Sequence, residues 1–242
     1  MSYSLAYKDF GEAAILIEWP QSIDDKILLD IINFKEEIEK KLDIHHIELI
    51  PAYNSLTVIN HNKDIKLQGL KEELKRIYTS VNKNIIGKQK LWEIPVCYDE
   101  TFGIDLEHIC EEKGMSKEEL IQLHSEAIYT VYCIGFLPGF MYLGGLSKRL
   151  ETPRRETPRL NILKGSVGIA ENQTGVYPQD SPGGWNIIGN SPINLFDINK
   201  ETPCFVKTGD KIQFRGISLP EYKLMQVEIE AGVFSIESKW IQ

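Results

Sequence analysis

The sequence predicts an α+β chain of two parts: an N-terminal α/β sandwich, with two helices on an antiparallel sheet, and then a small β-barrel. Three observations predict it. Residues 2–98 read β-β-α-β-β-α and then a strand, the order of helices laid on an antiparallel sheet. From Lys164 onward, short β segments alternate with turn signals, a density that suits a barrel better than a βαβ sheet. Between the two parts, Ser80 to Lys90 is polar and Gly-containing, which sets the domains at 1–85 and 86–242.

YSLAY and AAILIEW read as strands joined by a turn at Asp9-Phe10-Gly11. Ser22 is placed to cap the next helix, and Asp24 and Asp25 suit its positive end. Ile27, Ile31, Phe34, Ile38 and Leu42 then recur at helical spacing. HIELIPAY and SLTVIN are strands about the Asn54-Ser55 turn, followed by a helix carrying Leu67, Leu70, Leu74, Ile77 and Tyr78. After the strand LWEIPVCY, a short helix from Asp105 stops at Gly114. A second opens on the capping box Ser116-x-x-Glu119 and runs into the strand AIYTVYCIGF. SVGIA, TGVY, WNIIG, INLFD, KIQFRGI and KLMQVEIE complete the strands of the barrel.

Composition narrows the function. The chain has 242 residues, 42% hydrophobic and 26% charged, as in ordinary globular proteins. A net charge of -8 argues against nucleic acid, whose binding needs a basic face. No apolar run approaches the roughly 18 residues of a membrane span, and the N-terminus shows no secretory pattern. Cys97, Cys110, Cys133 and Cys204 lie far apart, which suits neither a zinc site nor a disulfide framework; reduced thiols in the cytoplasm are the expectation.

Four of the six arginines (Arg149, Arg154, Arg155, Arg159) fall within the Gly- and Pro-rich stretch from Gly135 to Gly189, read as an ordered site loop. Arg154, Arg155 and Arg159 follow prolines on stiffened backbone, and their planar forks suit carboxylate or phosphate. Two readings stay open: an anion clamp, or pairing with Glu151 and Glu156 that pins the loop. His124 points to the apolar side of its helix, as a general acid or base or, in the commoner use, as a core histidine. GFLPGF and SPGGW permit close backbone approach, and amides beside Gly183 and Gly184 are candidates for an oxyanion; turning at barrel corners is the plainer alternative. The other histidines show no metal-ligand spacing, and no phosphate-binding loop or dinucleotide fingerprint is present.

At GFLPGFMYLGGL, TPRRETPR, GSVGIAENQTGVYPQDSPGGW and IGNSPINLFD the chain resembles the family of KipI and the 5-oxoprolinase B subunit, also called allophanate hydrolase subunit 1. Asn190-Ser191, where members often carry a basic residue and Thr, and Asn161-Ile162-Leu163 are its slight departures. The resemblance implies a C-terminal barrel of cyclophilin type. It implies a component of ATP-dependent 5-oxoprolinase, opening 5-oxo-L-proline to glutamate with subunits A and C. ATP is then a co-substrate accompanied by magnesium, with nothing tightly bound and no metal site of the chain's own. Under that reading His124 and Arg155 are the catalytic candidates. Arg154, Arg159, Gln173, Tyr177, Gly183, Gly184 and Trp185 would bind substrate or anion. The alternative is a protein that inhibits autophosphorylation of a sensor histidine kinase, with Phe136, Phe140 and Tyr142 as its anchors.

Overall fold

The computed structural model describes residues 3–62, 66–81 and 89–241. Two compact units, Met1–Lys88 and Gln89–Ile241, are distinguished by their internal contacts. The domain boundary expected at 85/86 lies outside the described residues.

In the first unit, β1 (Ala6–Phe10), β2 (Ala14–Glu18), β3 (Ile47–Ala52) and β4 (Ser55–Asn60) form an antiparallel sheet in the order β1-β2-β4-β3. Alternation puts Ile15, Ile17, Leu56 and Val58 on its inner face. Against them pack Ile27, Ile31, Phe34 and Ile38 of α1 (Asp25–Lys41) and Leu70, Leu74 and Ile77 of α2 (Leu67–Thr79). The cap of α1 is Asp24 rather than Ser22. Its extended backbone leaves the carboxylate free to accept from the Lys26 amide at 2.7 Å, while Ser22 is held in the preceding turn by Pro20. Asp30, an acidic group deep in this unit, accepts from Trp19 Nε1 (2.8 Å) and the Tyr78 hydroxyl (2.6 Å).

The second unit is built on β5 (Gln89–Cys97), followed by α3 (Leu106–Lys113), α4 (Lys117–Glu126), β6 (Ile128–Ile134), β7 (Met141–Gly144), β8 (Arg159–Ile162), β9 (Ser166–Ala170), β10 (Gln173–Val176), β11 (Ser181–Gly183), β12 (Asn186–Asn190), β13 (Lys211–Ile217), α5 (Leu219–Glu230) and β14 (Ser238–Ile241). Strands β12-β9-β10-β7-β6-β13-β5 are neighbours in that order, and Asn190 of β12 pairs with Cys97 of β5, so seven strands close into a barrel. Its interior is filled by Ile94, Val131, Leu143, Ile169, Ile188 and Phe214 among others. The expected class, mixed α+β with an α/β sandwich and then a closed barrel, is what the chain forms.

Three local expectations change. KLMQVEIE is helical, within α5. Ser218 and Glu221 close a reciprocal capping box and Pro220 sits in the first turn, whereas the side chains behind it bury only Tyr222. INLFD lies outside the strands, its Ile193 and Leu195 buried all the same. The stretch from Gly135 is less irregular than it reads: β7 to β12 fall within it, and β8 and β11 form a two-stranded ribbon beside the barrel.

Candidate functional site

The arginines meet at a carboxylate that lies some fifty residues earlier in the chain. Asp105 stands at the N-cap position of α3, yet its side chain makes no capping bond there. It is 3% exposed and turns toward the loop. Oδ1 accepts from Arg155 Nη1 (2.9 Å) and Arg159 Nη2 (2.6 Å); Oδ2 accepts from Arg159 Nη1 (2.8 Å) and the Ile187 amide (2.7 Å). Arg159 therefore grips the carboxylate in a fork, and the Asp105 amide in turn donates to the Ile187 carbonyl at 2.9 Å. Local sequence explains the arrival of each arginine. Pro153 and Pro158 keep the loop extended, the Arg155 amide is tied to the Gly184 carbonyl at 2.8 Å, and Arg159 opens β8, paired with Gly183. Burying a carboxylate is costly unless it is paired and hydrogen-bonded, and here four donors meet it.

In front of this cluster is an open cleft of about 460 Å³, lined by Arg154, Arg155 and Glu156 of the loop, His108 and Glu112 of α3, and Asn186 of β12, with Thr152, Pro153 and Thr157. Asn186 Nδ2 donates to the Pro153 carbonyl at 2.8 Å and so holds the loop to the barrel wall. Arg154 is more than half exposed and faces Glu171 at 3.7 Å, a loose pair. Arg155 Nε is buried with no hydrogen-bond partner among the described residues. The partners of the arginines are thus Glu119 for Arg149, Glu171 for Arg154, and Asp105 for Arg155 and Arg159, in place of Glu151 and Glu156.

Other candidates from the sequence are elsewhere. His124 is fully buried in the barrel. Thr174 Oγ1 donates to the Gly168 carbonyl (2.9 Å), so it accepts from His124 Nε2–H (2.9 Å); Nδ1 then accepts the Tyr98 hydroxyl at 2.7 Å. The ring stacks on Phe214 at 4.6 Å, and burial lowers its pKa to about 3. A neutral imidazole, fully buried and with both nitrogens engaged by core partners, is not presented to a substrate, which corrects the catalytic reading. Tyr177 and Trp185 are likewise core residues, 1% and 4% exposed, in an aromatic cluster with Phe140. Burial pushes the Tyr177 hydroxyl up to about 12. They support the ribbon that carries Arg159 and do not present themselves to a ligand. Gly183 lies in β11 and Gly184 beside it, next to the cleft wall, while Gln173 is on β10 opposite Gly144 and Ala170. Of the three proposed anchors, Phe140 is 1% exposed, Tyr142 is half-buried and Phe136 is 65% exposed. Sequence reading missed Asp105, His108 and Asn186. Asp105 reads as the start of a short helix, and nothing local marks its tertiary role.

The chain is similar to known proteins along most of its length. The model of the family described as carboxyltransferase domain, subdomain C and D, matches residues 5–206. The B subunit of the Bacillus subtilis 5-oxoprolinase is 34% identical over 238 residues, covering 94% of this chain and 99% of that one. The chain belongs to the family of KipI and the 5-oxoprolinase B subunit. The crystal structure of the protein TTHA0988 shares 28% identity and a TM-score of 0.74, over 85% of this chain but only 40% of that longer chain. The urea amidolyase of K. lactis shares the fold alone, with a TM-score of 0.82 at 18% identity, over 99% of this chain and 16% of that one. Family membership and closed barrel agree. Among the described residues no helix is long and apolar enough to cross a membrane, and the four cysteines are free.

Proposed function

We propose that this chain is the B subunit of an ATP-dependent 5-oxoprolinase. The observation that carries the reading is the match to a protein of that name along almost the whole of both chains. The chemistry fits the cleft. A lactam is a resonance-stabilised amide, and phosphoryl transfer to its carbonyl oxygen makes attack by water feasible; both the developing charge and the substrate carboxylate call for fixed cations. In this reading Arg154 and Arg155 face the substrate and Arg159 braces them through Asp105. Gly183 and Gly184 shape the adjoining backbone. ATP and magnesium act as co-substrate of an assembly with subunits A and C, in the cytoplasm where ATP is supplied.

Glutamate release from 5-oxoproline and ATP, in a mixture of this chain with subunits A and C, tests the proposal. Release that depends on all three components is the expected result; equal release without this chain removes it from the enzyme. Arg154→Ala is the informative variant, since its side chain is exposed and loosely paired. Losing one charge-assisted contact to the substrate lowers kcat/KM by roughly 10-fold, with the melting temperature unchanged. Unchanged kinetics would take Arg154 out of the site.

A further inference from the structure

Two guanidiniums on one buried carboxylate are an unusual arrangement of charge. A cluster meant only to pin the loop would balance with one arginine. Here Arg159 alone satisfies both oxygens of Asp105, and Arg155 is added to Oδ1 from the side that lines the cleft. The cluster therefore carries one net positive charge, held at the wall. Arg155 and Arg159 keep about a third and a quarter of their side-chain surface accessible, so that charge is felt outside. The Arg155 Nε is buried, with no hydrogen-bond partner among the described residues. Around this cation the cleft is not basic. Glu112 and Glu156 line it along with Arg154 and Arg155, so its charged lining is two positive and two negative.

We propose that Asp105 is the positioning residue that sets both the spacing and the charge of this cleft, so that it takes one small monocarboxylate, that of 5-oxoproline, and turns away nucleotide polyphosphate. The inference rests on the functional reading above and assigns the nucleotide's phosphates to another chain of the assembly. A single carboxylate fits one arginine fork and the neutral lactam ring needs no further charge. A triphosphate would bring several negative charges against Glu112 and Glu156, in a lining whose two positive and two negative charges already balance. Asp105 reaches the substrate only through Arg155, and it ties the start of α3, the loop, β8 and β12 to a common point. Its neutralisation would both loosen the arginines and raise the charge of the wall by one.

The test is steady-state kinetics of the reconstituted three-component enzyme with Asp105→Asn and Asp105→Glu. Asp105→Asn is expected to raise KM for 5-oxoproline about 10-fold, leave KM for ATP unchanged, and make pyrophosphate a competitive inhibitor against 5-oxoproline about 10-fold tighter than for the wild type. Asp105→Glu keeps the charge but displaces it, so it should raise KM for 5-oxoproline without the gain in pyrophosphate inhibition. A residue that only stabilises the fold would lower the yield of active enzyme and move neither ratio. An unchanged KM for 5-oxoproline, a parallel rise in KM for ATP, or no gain of pyrophosphate inhibition overturns the proposal. Should Asp105→Asn fail to assemble, Asp105→Glu decides by its 5-oxoproline KM alone. A wild-type mixture that makes no glutamate overturns instead the functional reading, and with it the substrate named here.

Discussion

His124 shows how far a residue's surroundings govern what it can do. The neutral ring, held by Tyr98 and Thr174, keeps its pKa near 3 because burial penalises the charged form. The unfolded chain takes up this proton below the ordinary value of 6.5, while the folded chain does not until about 3. Stability present above 6.5 is therefore lost as the pH falls through this window, by about 1.4 kcal/mol for each unit. Urea unfolding at pH 7 and pH 5 should show the wild type losing about 2 kcal/mol more than His124→Gln, whose amide does not titrate. Equal losses would mean that another group sets the acid limit. From sequence, the helical position of His124 gave its apolar orientation correctly. The loss of its proton chemistry follows from Tyr98, Thr174 and Phe214, which arrive from three other strands or their ends. The arginines show the converse. Their clustering and fork chemistry were legible, but their partner was not, because a contact made across fifty residues leaves no local mark at Asp105.

At the scale of elements, the ribbon of β8 and β11 is what presents Arg159 to Asp105. It depends on Gly183, where an added Cβ would lie 2.4 Å from the Tyr177 hydroxyl and 2.6 Å from Ile162 Cδ1. Neither neighbour is free to yield: Tyr177 is locked against Phe140, and Ile162 is buried in the same aromatic cluster. Gly183→Ala should therefore cost about 1–3 kcal/mol by overpacking, seen as a lower urea midpoint. By shifting β8 it should also raise KM for 5-oxoproline in the assembled enzyme; a loss of stability with normal KM would uncouple ribbon from site. The SPGGW motif was thus visible as a place of close approach, though what approaches Gly183 is a tyrosine of the core and not a ligand. The strands with clear alternation were legible for the same reason that α5 was not. Alternation reports a face that is buried, and α5 buries Tyr222 while leaving Leu224 and Val227 exposed, so its apolar residues do not trace a helical stripe. Capping chemistry at Ser218, Pro220 and Glu221 was the better guide.

For the whole molecule, the second unit begins and ends on the same strand pair. Gln89–Trp92 of β5 bond to Ser238–Ile241 of β14, Leu91–Cys97 of β5 run parallel to β13, and its last residue closes the ring against β12. A barrel closed in this way has few free edges and carries its own core, from Ile94 to Phe214. Such a unit meets the requirements for folding alone. A fragment of residues 89–242 should therefore be monomeric, melt cooperatively and give a dispersed amide spectrum. Because its pairings join distant segments, including a parallel pair, it should refold slowly, in about milliseconds to seconds. A fragment that stays unfolded at room temperature would show that the barrel needs the first unit to form. A fragment that folds but fails to support glutamate release would place the remaining contribution to the assembly in residues 1–88, since the arginine cleft and Asp105 lie wholly within the fragment.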